Sequence, residues 1–259
     1  MRTRHSTTLL AAAGAGALLL SGCTSTTGEA QSESGVPLIS DGALTVCTNT
    51  PYTPFEFERD GEVVGFDMDL ADEIAADLDV EKTVIQTGFE GIESGADLST
   101  NKCDVAISGI TITEARESQM AFSESYFDDE LGLLVPAGSD IQSFEDIGDA
   151  RVAVQQATTG QTYAEENGLN FEQQEDVELM LQKLETGGVE AVIGNVSVLG
   201  TRAAGNPDVV LADQESNGEQ LGVAVGSENT EMVDAVNSTI DRIEGDGTMD
   251  RMREEWMGL

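Results

Sequence analysis

Histidine occurs once in 259 residues, at position 5, and tryptophan once, at position 256. Lysine occurs only at 82, 102 and 183, and cysteine only at 23, 47 and 103. The shortage of imidazole matters most. If the N-terminal segment is removed, as argued below, no histidine remains, which excludes a histidine-based triad, histidine–metal ligation and imidazole acid–base chemistry. Cations are scarce as well, 12 against 49 acids for a formal net charge of −37. A field of that sign repels phosphate backbones and argues against nucleic acid as a partner. It also devalues any chosen pair of carboxylates as a catalytic signal, since pairs arise by chance. The sequence has no G-x-S-x-G, no P-loop and no metal-spaced cluster, so neither cofactor nor metal is expected.

What is there begins at the N-terminus. Arg2 and Arg4 form a short basic head, and Leu9 to Leu20 an apolar run too short to span a bilayer comfortably. Leu20-Ser21-Gly22-Cys23 follows, and the whole resembles a bacterial lipoprotein signal, with residues 1–22 removed and Cys23 lipidated. That removal leaves ten cations facing 49 acids. Residues 23–40 are rich in Ser, Thr and Gly and are expected to form a flexible tether. No second apolar run is long enough for a membrane helix. The expected location is therefore the extracytoplasmic face of the cell membrane, held there by lipid alone.

Further along, Ala43–Cys47 and Val63–Val64 are strand candidates, and Asp67 is placed to cap a helix carrying Leu70, Ile74 and Leu78. Val84–Gln86 and Asp104–Ser108 are strand-like, and Thr113 can cap a short helix bearing Arg116. Leu131–Val135 is extended, after which strands and helices restart from Val152 to Ala203. A second extended run, Leu221–Val225, leads into a helix with Met232, Val236, Ile240 and Ile243 on one face. Two restarts bounded by two extended runs predict two α/β lobes joined by two crossovers, with a cleft between them.

The motifs along this pattern carry a family resemblance. They are Pro54-Phe55-Glu56-Phe57, Gly65-Phe66-Asp67-Met68-Asp69-Leu70-Ala71, Ser108-Gly109-Ile110-Thr111 through Arg116, Gln155 through Gly160, and Gly247-Thr248 with Trp256. Together, over Leu44 to Trp256, they resemble the polar-amino-acid solute-binding proteins of ABC importers, family 3, with the type II periplasmic-binding-protein fold. The resemblance implies two mostly parallel sheets joined by a two-crossover hinge. It implies a larger lobe of residues 41–131 plus 219–259 and a smaller lobe of 132–218.

It also implies a site. Arg116 would bind the ligand carboxylate, since its planar fork matches one and stays charged. Thr111 would assist, with Ser108 and Gly109 of the same motif, and Thr159 would open a helix from the other lobe. Tyr52 and Phe89 would sandwich the ligand body, while Phe55 and Phe57 are assigned to core. Asn195 and Asn49 stand where related proteins carry aspartates, which weakens the pull on a ligand ammonium. Cys47 and Cys103 would lie on neighbouring strands of this fold, where a disulfide is possible in an oxidising compartment.

The expected function is a monomeric receptor that hands a small carboxylate-bearing solute, foremost an amino acid, to a membrane permease and its ATPase. Two alternatives stay open: an enzyme on the same fold, such as a dehydratase of a cyclic carboxylic acid, and a ligand-sensing module. Charge ranks neutral polar amino acids first, cationic ones second, ectoine-like compounds third and dicarboxylates last.

Overall fold

The computed structural model describes residues 31–32 and 35–259, so the expected signal segment 1–22 and the expected lipidation site Cys23 lie outside the described residues. The first lobe is built from β1 (Ala43–Thr48), β2 (Phe57–Arg59), β3 (Glu62–Val64), α1 (Phe66–Asp77), β4 (Glu81–Gln86), α2 (Phe89–Glu93), α3 (Ala96–Ser99), β5 (Val105–Ala106) and α4 (Glu114–Glu117). The chain then crosses on β6 (Ala121–Pro136) into β7 (Arg151–Gln155), α5 (Thr159–Glu166), β8 (Asn170–Gln174), α6 (Val177–Glu185), β9 (Ala191–Asn195) and α7 (Val196–Gly205). It returns on β10 (Val209–Val225) and closes with α8 (Thr230–Gly245) and α9 (Thr248–Met257) against the first lobe.

The main strands form one ladder in the order β4-β1-β5-β10-β6-β9-β7-β8. At one end β1 pairs in parallel with β4 and β5, and at the other β7 pairs in parallel with β8 and β9. The two expected sheets are these two ends. They are continuous because both crossovers are long strands that pair antiparallel with each other. The β6–β10 register breaks between Glu215 and Glu219, opposite Asp129 and Leu131. Such an irregularity bends a ribbon locally.

Each end is packed by the faces its sequence periodicity dictates. Helix α1 buries Leu70, Ala71, Ile74 and Ala75, and α8 buries Met232, Val236, Ile240 and Ile243. Each full-sized apolar side chain moved from water contributes roughly 1.5–3 kcal/mol. The smaller lobe has its own core of Leu131, Leu133, Val152, Val154, Ala191 and Ile193.

Three sequence expectations need correction here. Residues 35–40 are not free tether. Val36 and Leu38 are buried, and Ile39 N–H donates to Asp104 Oδ1 at 2.7 Å. Asp67 does not cap α1, whose N-cap is Gly65. Instead it is fully buried inside the first turn and accepts from Gly109 N–H at 2.7 Å. Phe57 is only half-buried, edge-on to Trp256 at 5.9 Å, because strand β2 lies outside the main sheet. The Cys47–Cys103 disulfide is formed, with Cα atoms 5.7 Å apart, tying β1 to the segment that leads into β5. Among the described residues no helix is long and apolar enough to cross a membrane.

Candidate ligand-binding site

The site residues come from chain that follows the carboxyl ends of four strands, where open α/β sheets place ligands. β1 runs into Asn49 and Tyr52, β5 into Ser108, Gly109 and Thr111, β7 into Gln155 and the start of α5, and β9 ends at Asn195. All nine sequence-predicted residues (Asn49, Tyr52, Phe89, Ser108, Gly109, Thr111, Arg116, Thr159 and Asn195) line one space between the lobes, with Gln155 and Thr158. That space is about 10 Å³, room for about one water. It adjoins a vestibule of about 1190 Å³ that shares Thr111, Arg116, Thr158 and Thr159.

Arg116 is the centre of the arrangement. Thr113 caps its short helix by accepting from Arg116 N–H at 3.3 Å, which aims the side chain inward. The guanidinium donates from Nη1 to Thr111 O at 2.8 Å and from Nη2 to Ala157 O, in the opposite lobe, at 2.9 Å. It lies over the Phe89 ring, 5.5 Å from the centroid. Arg116 is only 4% exposed, yet among the described residues no carboxylate pairs with it within 4.0 Å. Burial lowers its pKa, opposed by the fields of Glu93 and Glu219, and a guanidinium stays charged regardless. Ala157 holds a left-handed backbone, φ 64°, which is uncommon for a residue with a Cβ. The carbonyl that meets Arg116 belongs to this turn.

The other predicted residues divide into those that face the cleft and those that support it. Asn49 accepts from Gln155 Nε2 across the cleft at 3.0 Å and donates to Thr87 O. Ser108 accepts from Asn49 N–H and donates to Glu56 Oε1 at 2.6 Å. Gly109 must lack a side chain, since at φ 52° a Cβ would stand 2.7 Å from Tyr52 Cε1. Tyr52 OH donates to Asn195 Oδ1 at 2.6 Å, a second contact between lobes. Thr158 caps α5 by accepting from Gln161 N–H, so Thr159 opens the helix where it borders the cleft.

Behind Ser108 and Gly109 lies a pair of buried carboxyls, Glu56 and Asp67, the second of which was expected only as a helix cap. Glu56 and Asp67 lie beside one another, with the hydroxyls of Thr48 and Tyr126 next to them. Burial pushes Asp67 up to about 6 and, with the Asp67 charge beside it, holds Glu56 well above the usual carboxylate range. The pair therefore shares one proton. Tyr52 is also pushed up, by burial first and then by Asp129, Glu56 and Glu219. Two further acids escaped the sequence reading. Asp129 accepts from Ser197 Oγ at 2.5 Å at the start of α7, and Glu219 accepts from Asn195 and Thr111.

The family of bacterial extracellular solute-binding proteins, family 3, matches residues 44–259. An arginine-binding periplasmic protein of Mannheimia haemolytica is 29% identical over 215 residues, 80% of this chain and 88% of that protein. Among solved structures, an ancestral arginine-binding protein bound to arginine is 34% identical with a TM-score of 0.79, covering 83% of this chain and 98% of its own. An ancestral amino acid-binding protein described as a precursor of cyclohexadienyl dehydratase is 32% identical, also at 0.79, covering 83% and 96%.

Proposed function

The chain belongs to the bacterial extracellular solute-binding proteins of family 3, and from that premise we propose that it is the substrate receptor of an ABC importer for an L-amino acid, anchored through Cys23. One observation carries the ligand class: a buried guanidinium, Arg116, that no protein carboxylate neutralises among the described residues. A buried charge without a partner is costly, and a ligand carboxylate supplies the partner. The space around it is too small for an amino acid with the lobes in contact. Entry then requires the lobes to part about β6 and β10, and binding closes them.

Within amino acids, cationic ones rank first. The vestibule carries Glu90, Glu93, Glu166, Glu215 and Glu219, with Arg116 as its cation. Such a rim favours a ligand bearing a second positive charge, and the relatives named for arginine point the same way. This reverses the order expected from sequence alone, which put neutral ligands ahead.

The test incubates protein with the twenty L-amino acids at equal concentration, removes free solute, and identifies what is retained by mass spectrometry. Retention of one or two amino acids unchanged is expected, arginine foremost. Turnover of a cyclic carboxylic acid, with no amino acid retained, would establish the enzyme alternative instead.

A further inference from the structure

Resting on the reading of the cleft as an amino-acid site, we propose that Glu219 receives the ligand's ammonium group, and that Asn195 holds Glu219 in place instead of meeting the ligand itself. A zwitterion needs an anion close to Arg116. The cleft offers several carboxylates, and their surroundings separate them. Glu56 and Asp67 sit behind Ser108 and Gly109, accept from them, and line neither the inner space nor the vestibule. Asp129 is consumed by Ser197 at the start of α7. Glu90, Glu166 and Glu215 are exposed on the vestibule wall and Glu93 is half-buried. Glu219 alone among the vestibule acids is buried, at 5% exposed.

Its partners are neutral. Oε2 accepts from Asn195 Nδ2 at 2.9 Å and Thr111 Oγ1 at 3.2 Å, and Oε1 accepts from Asn217 Nδ2 at 2.9 Å. Among the described residues no lysine or arginine forms an ion pair with it. A buried carboxylate held only by neutral donors gains from a cation brought to it.

Asn195 is neutral and offers an ammonium no ion pair. Its Oδ1 already accepts from Tyr52 OH and its Nδ2 donates to Glu219, so each end of the amide has a protein partner. Reversing the amide would press its oxygen against the Glu219 carboxylate, so the orientation follows from chemistry as well as from fit. The relay Tyr52–Asn195–Glu219–Thr111 thus joins both lobes to one carboxylate on the β10 crossover. A ligand ammonium on Glu219 and carboxylate on Arg116 would read the zwitterion from its two ends.

Calorimetry would compare L-arginine with δ-guanidinovalerate, and L-glutamine with glutaramate, each pair differing only by the α-ammonium. Wild-type protein is expected to prefer the amino acid of at least one pair by roughly 30-fold or more. In Glu219→Gln that preference falls towards unity while the deamino analogue binds as to wild type, and Glu219→Asp recovers part of it. A Gln variant that keeps the preference, or loses both ligands in parallel, overturns the proposal. If Glu219→Gln does not fold, Asn195→Ala decides: a narrowed preference supports the relay, and a preference unchanged or abolished with Glu219 intact overturns it. If wild-type protein binds neither amino acid nor any other of the twenty, the amino-acid reading itself falls, and this inference with it.

Discussion

Removing the Arg116 guanidinium takes away more than a charge, because the same group ties Thr111 in one lobe to Ala157 in the other. Arg116→Ala is expected to leave a folded protein, since the residue sits on the cleft wall and not in a hydrophobic cluster. Loss of amino-acid binding should amount to about 2–5 kcal/mol, roughly thirtyfold to several thousandfold in affinity, by calorimetry. Near-native affinity in a folded variant would remove Arg116 from the site. This residue was legible in sequence because it closes the motif Ser108 through Arg116, one of those that carry the family resemblance. Glu219 was not. It is one of 49 acids, and only the register break in β10 turns it inward among Asn195, Thr111 and Asn217. Local periodicity carries no trace of such a tertiary placement.

Helix α1 shows how an element can be found while the role of one residue on it is misread. Leu70, Ile74 and Leu78 recur at the spacing that buries one face, and they are buried. Asp67 looked like a cap because acids favour helix starts, but the tight approach of Gly65 to Phe55 carries the chain into the helix before Asp67. The carboxyl then points to Gly109 and Glu56. Its pKa of about 6 lies above the ordinary value, roughly 3.9. The folded state thus holds this proton more tightly than the unfolded chain. That contribution is fully present below roughly pH 4 and is lost as pH rises through about 6. Asp67→Asn still accepts from Gly109 and donates to Glu56 without carrying charge. Relative to wild type, the variant should melt higher at pH 7, and the difference should shrink at pH 5 and vanish near pH 4. A constant offset across that range would mean the pair carries no shared proton. The crossovers are the opposite case: Leu131–Val135 and Leu221–Val225 were visible as apolar runs, yet they are parts of strands of 16 and 17 residues. The polar remainder of each strand lies at or beside the hinge, where alternation in the sequence is broken.

At the scale of the whole molecule, the polar contacts that join the lobes include Gln155 with Asn49, Tyr52 with Asn195, Arg116 with Ala157 and Asn195 with Glu219. Each of these involves residues that line the site, so occupation of the site and closure of the lobes share the same atoms. The alternation of strands and helices at each end was readable in the sequence, whereas the strand order and the fusion of both ends into one ladder required the crossovers to be seen paired. The net charge acts on the molecule as a unit. It draws cations and zwitterions toward the cleft and disfavours dianions, which would need a second cation beside Arg116. The most direct measurement is a calorimetric titration of protein beginning at residue 24, refolded to strip carried solute, with L-arginine, L-glutamine and L-glutamate in turn. The account predicts one-to-one binding of arginine, micromolar or tighter, with glutamine weaker and glutamate without detectable heat. Binding of glutamate alone, or of none of the three and no other amino acid, would contradict it.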